Sequence, residues 1–198
     1  MGKTKILYDG VLKEKSALKI DIGIGNITIK HGEPYLLATN NSLGGHVNLV
    51  DNGKVQTING NKCSLEIHYP KDKDLDIRVS TGNIILEDLD PKNLNISLIK
   101  GNLGLDLKKK DKNLLGIDVE TGRISGFIDY DIKKNSDTEI NLVKGIIDLR
   151  FKLQKNAGFE SVLNNNFKGI VNIPENSNGK PKLTLRINFK RGIIKIKR

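Results

Sequence analysis

IRVSTGNIILEDLDPKNLNISLIKGNLGL, residues 77–105, carries one phrase twice: two apolar residues at alternate positions, a glycine three places on, then alternation again. Ile77 and Val79 precede Gly82, and Ile84 and Leu86 follow it; Ile96 and Leu98 precede Gly101, and Leu103 and Leu105 follow it. Alternation with period two marks an extended strand, because successive side chains point to opposite faces. The glycine falls where the backbone must bend or take positive φ, a conformation that is cheap only without a Cβ. Each phrase therefore predicts a bent pair of short strands.

Working outward, the same template fits IDIGIGNITI (20–29), IDVETGRISG (117–126), INLVKGIIDL (140–149), NNNFKGIVNI (164–173) and INFKRGIIKI (187–196). Asn164 and Asn166 break the leading apolar pair of one copy, and Gly126 breaks the trailing pair of another. A bent strand pair cannot bury its apolar face alone, so units spaced about 22 residues apart must stack on one another. The expected fold is all-β: a parallel β-solenoid of about seven to eight turns. No sustained i, i+3, i+4, i+7 pattern supports helices. An antiparallel sandwich would also suit short alternating strands, but hairpins do not require the constant phase between glycine and apolar positions.

Residues 31–70 fit the template poorly, and VNLVDNGKVQTI (47–58) reads as a hairpin about Asp51-Asn52-Gly53, an irregular excursion within 44–58. The expected organisation is one domain, 1–198, with irregular turns over 1–70 and regular glycine-centred turns over 71–198.

The stretch LEIHYPKDKDLDIRVSTGNIILEDLDPKNLNISLIKGNLGLDL (65–107) resembles the bacterial and archaeal adhesin-like domains of unknown function. Ile67, Pro70, Leu75, Ile77, Val79, Gly82 and Ile84 carry the resemblance, which continues more weakly to about residue 196. It implies a β-solenoid and surface adhesion, and supplies no catalytic residue.

With 37% hydrophobic and 28% charged residues in 198, the chain is neither disordered nor a membrane protein in composition, and it is long enough to bury a core without a metal or disulfide. No apolar run approaches the ~18 residues of a spanning helix. The start lacks a secretory h-region, so a cytoplasmic location is expected. A lone cysteine, Cys63, excludes an intrachain disulfide. The residues imply no cofactor.

Catalytic constellations are weak. Cys63 and His68 are five residues apart, which puts them on opposite faces of a strand and makes Cys63 a buried, inert thiol rather than a nucleophile. DKDLD (72–76) opens like a calcium loop but has Ile77 where the loop needs glycine. Asn26, Asn83 and Asn102 each follow a template glycine, and stacked turns would align them as a ladder of amides. The expected protein is not an enzyme.

Charge is uneven. Residues 1–149 hold 21 Lys plus Arg against 21 Asp plus Glu, whereas 150–198 hold 12 against 2, so the whole net charge of +10 lies at one end. Lys180, Lys182, Arg186, Lys190, Arg191, Lys195, Lys197 and Arg198 are the candidate partner-binding residues. Two readings follow. One is a structural or protein-interaction module presenting flat faces and a basic end to another protein. The other is binding of nucleic acid or an anionic surface through the same cluster. A bland account competes with both: cations on the outward positions of a terminal turn would deter edge-to-edge pairing.

Overall fold

The computed structural model describes residues 4–40, 43–110, 115–164 and 166–198. Among these residues there are thirteen strands and no helix. In chain order they are β1 (Lys5–Val11), β2 (Ala17–His31), β3 (Tyr35–Asn40), β4 (His46–Asp51), β5 (Val55–Asn61), β6 (Cys63–Tyr69), β7 (Asp74–Leu89), β8 (Leu94–Lys110), β9 (Leu115–Asp131), β10 (Ser136–Leu153), β11 (Gly158–Leu163), β12 (Lys168–Asn172) and β13 (Lys182–Lys197). They form one open, mixed sheet in the order β1-β3-β6-β2-β7-β8-β9-β10-β13-β11, with β12 beside β13 and the β4–β5 hairpin beside β2. From β2 to β13 every neighbouring pair on this path is parallel.

The long strands each contain a template glycine, and residues on both sides of it turn inward. In β7 the buried residues are Leu75, Ile77 and Val79 before Gly82, and Ile84 and Leu86 after it. The spacing from Val79 to Ile84 is odd, so the bend at Gly82 reverses which parity faces in. The leading and trailing arms of successive strands thus contribute to one buried cluster. Each fully buried aliphatic side chain in it stabilises the fold by roughly 1.5–3 kcal/mol.

The register is set by the glycines. Gly25, Gly82, Gly101, Gly122, Gly145, Gly192 and Gly169 lie side by side in that order across the sheet. Backbones approach so closely in this file that a Cβ on Gly82 would sit 1.6 Å from the carbonyl oxygen of Gly25. The amide ladder forms as expected beside it: Asn83 Nδ2 donates to Asn26 Oδ1 at 3.0 Å, and Asn102 Nδ2 to Asn83 Oδ1 at 2.9 Å. Asn188 Nδ2 to Asn141 Oδ1, at 2.7 Å, belongs to a second column on the leading arms.

The expected hairpin is present as β4–β5, antiparallel, with Gly53 at φ 82°. At this end the sheet departs from all-parallel: β3 is antiparallel to both β6 and β1.

One expectation needs correction. The last strand in sequence is not the last in space, because β13 lies between β10 on one side and β11 and β12 on the other. The cations of β13 therefore do not guard an edge. β11 and β12 take the outer positions beside β13, and β12 belongs to the copy at 164–173, whose leading apolar positions are Asn164 and Asn166. Among the described strands β12 pairs with β13 alone, so the weaker pattern is tolerated there, while the regular pattern of β13 fills the two-sided slot.

Candidate functional site

At the bend, the residue before each template glycine falls in register with its counterparts. The file runs Ile24, Thr81, Lys100, Thr121, Lys144, Arg191, Lys168 across seven adjacent strands. Three neighbours in it, Lys144, Arg191 and Lys168, are cationic, at a strand spacing of about 4.8 Å. With Lys190, Val143, Asn164 and Asn166 they line a groove of about 560 Å³ that has no carboxylate in its wall. Asn164 holds the connection between β11 and β12 against β13: its Oδ1 accepts from the Phe189 amide at 3.3 Å, and its own amide donates to the Ile187 carbonyl at 3.2 Å. Lys144, Lys168, Lys190 and Arg191 are exposed, and none makes a salt bridge among the described residues. Four like charges brought together without counter-charges raise the local potential, which favours a bound anion.

The eight cations singled out in the sequence do not form one patch. Lys190 and Arg191 are in the groove. Lys182 pairs with Glu160 at 3.3 Å, and Arg186 approaches Asp137 at 3.7 Å. Arg198 is tied down, its guanidinium donating to Ser177 Oγ at 2.7 Å and to the Ala157 carbonyl at 2.9 Å. Lys195 and Lys197 are exposed on the trailing arm, Lys195 in register with Asp148, and Lys180 is exposed before β13. The sequence reading missed Lys144, Lys168, Asn164 and Asn166. A signal was available: aligned on glycine, the preceding residue is Lys or Arg at Lys100, Lys144, Lys168 and Arg191, four of the seven copies.

The other chemistry considered in the sequence is dispersed. Cys63 faces the core, where burial pushes its thiol up, away from thiolate. His68 points outward, edge-on to Tyr35 with ring centroids 5.8 Å apart and 3.5 Å from Glu66. Among the described residues, no group of three or more His, Cys, Asp or Glu could hold a metal ion, and no helix is long and apolar enough to cross a membrane.

A second cavity, about 470 Å³, lies at the far ends of the trailing arms, with Asp129, Asp131, Lys109 and Lys152 in its wall. Two of its acids are held by neighbours: Lys152 Nζ donates to Asp129 at 2.7 Å, and Gln154 donates to Asp131. Lys109 occupies an inward position of β8, only 1% exposed, and its ammonium donates to the Pro91 carbonyl at 3.0 Å. Burial pushes this ammonium down to about 8, with Asp90 acting in the opposite direction. Between pH 8 and the ordinary lysine value of about 10.4, the unfolded chain holds a proton that the folded one has lost, so this group makes stability rise with pH. Cys63 and Tyr35, whose values are raised, act the opposite way at alkaline pH. Lys109→Met isolates the lysine. The stability advantage of the variant over wild type should shrink by about 1–2 kcal/mol between pH 7.5 and 9.5. A difference independent of pH in urea titrations would contradict the assignment.

Compared with known proteins, the chain shares its fold along its length with a candidate cell adhesion protein from Clostridium sporogenes: TM-score 0.58, 16% identity, covering 100% of this chain and 99% of that one. A candidate adhesin from Bacteroides fragilis aligns at TM-score 0.39 and 12% identity over 97% and 96% of the two chains, and one from Parabacteroides merdae at 0.39 and 16% over 99% and 93%. No protein-family model matches the chain. No curated protein matches it either. The likeness to the Clostridium protein is one of fold alone.

Proposed function

We propose that this protein is a non-catalytic interaction module, a parallel β-solenoid of about seven turns that engages an anionic partner through the basic groove at its glycine bend. The observation that carries this reading is the convergence of Lys144, Lys168, Lys190 and Arg191, from three neighbouring strands, on one groove with no acid in its wall. The glycine file supports the solenoid part, since it repeats one bend through successive parallel strands. The fold shared with the candidate cell adhesion protein is compatible with surface recognition as the task.

Each cation that contacts a polyanion releases a counterion, so affinity falls steeply with salt. Binding to heparin, titrated at several salt concentrations, tests the groove. Lys144→Gln with Arg191→Gln should lower the slope of log affinity against log salt by about 2. Lys195→Gln with Lys197→Gln, on the trailing arm, should change it much less. Equal slopes for the wild type and the groove variant would refute the reading.

A further inference from the structure

We propose that the anionic partner is a lipid surface and that the glycine bend is the edge laid upon it; this rests on the groove reading above. The cations of the bend do not stand alone. Among the two residues preceding each glycine, Ile24 is 50% exposed, Ile99 48% and Val143 43%. Ile99 and Val143 directly precede Lys100 and Lys144. The strip thus sets a bare aliphatic side chain beside a cation on β8 and on β10, with Ser80 and Thr81 on β7 and Thr121 on β9, and Glu120 is the one acid among its described residues.

The strip follows six strand spacings, about 29 Å, along the stacking direction. Its backbone is held in place by the glycine file on one side and the amide ladder of Asn26, Asn83 and Asn102 next to it. A soluble polyanion gains nothing from an exposed isoleucine or valine, whereas a bilayer interface takes the aliphatic groups at the acyl boundary and the cations at the phosphates. Single-stranded nucleic acid is disfavoured for a second reason. It is bound on aromatic platforms, and the one aromatic of the strip, Phe167, is half-buried and tilted against Phe189 at 6.4 Å.

The test is sedimentation of the full chain with vesicles of phosphatidylcholine alone or mixed with phosphatidylglycerol, with circular dichroism to establish that each variant is folded. The wild type should bind only the mixed vesicles, and less as salt rises. Ile24→Asn with Ile99→Asn, neither of which lines the basic groove, should weaken vesicle binding about tenfold while leaving the heparin salt slope unchanged. A second measurement places an environment-sensitive dye on the strip. With Cys63 buried, Thr121→Cys carries the label, and its emission should shift blue on the mixed vesicles. The same dye at Asp106→Cys, on the trailing arm, should not shift.

Absence of wild-type binding to phosphatidylglycerol vesicles, or undiminished binding by the aliphatic variant, overturns the lipid proposal and leaves the groove reading intact. So does tighter binding of an RNA or DNA oligonucleotide that the aliphatic variant does not weaken. An unchanged heparin slope in the Lys144 and Arg191 variant instead overturns the groove reading itself.

Discussion

Gly101→Ala should fail to fold, or should lose about 3 kcal/mol or more of stability, although it adds one methyl group to a chain rich in larger side chains. Gly101 has φ 149°, in a region L-residues rarely adopt, and the added carbon would lie 1.6 Å from the carbonyl oxygen of Gly82. That oxygen belongs to a backbone in the sheet and cannot swing away as a side chain would. Gly101 also separates Gly82 from Gly122, whose own Cβ position is 1.7 Å from the Gly101 carbonyl, so local relief on one side tightens the other. Gly104, three residues on, is the control: its nearest neighbours to a Cβ are at 3.9 and 4.0 Å, and Gly104→Ala should be close to neutral. Urea titrations of the two variants give the comparison. Equal midpoints would show that the file does not need glycine.

Ending the chain at Pro181 should have a still larger effect. Removal of β13 takes Leu183, Leu185, Ile187, Phe189, Ile194 and Ile196 out of the core. At roughly 1.5–3 kcal/mol each, that loss equals or exceeds the entire stability of an ordinary domain. The damage spreads in both directions, since β11 and β12 pair in the sheet through β13, and the facing edge of β10 would be bared over its whole length. A long unpaired edge invites intermolecular pairing. The truncated protein should therefore aggregate, and the amides of β11 and β12 should exchange without protection. A monomer with the wild-type unfolding midpoint would show that β13 is an addition to the fold rather than an internal strand of it. This expectation is the reverse of the one suited to a terminal turn, whose loss would merely expose a new end.

The bent strand was legible at Ile77, Val79, Gly82, Ile84 and Leu86 because the information is local. Period-two burial and the need for a residue without Cβ both act within ten residues. The inward positions of every regular copy, the Asn26–Asn83–Asn102 ladder and the hairpin at Gly53 follow from the same local rules. The groove was half legible. Lys190 and Arg191 stood out as part of a cationic run, whereas Lys144 and Lys168 were hidden by the 23 residues of chain between Gly145 and Gly169. Charge counted along the chain also misgrouped Arg198, Lys182 and Arg186, which find Ser177, Glu160 and Asp137 in space.

The amino-acid order by itself determined where each strand bends and which side chains face inward, because alternation and the glycine constraint are properties of a single segment. Only the tertiary structure decided the order of the outer strands, with β13 between β10 and β11–β12, because parallel strands of like pattern can exchange places without changing any local preference. That decision also made the site: by seating Arg191 between Lys144 and Lys168, it assembles from three separate segments a charge density that none of them carries alone.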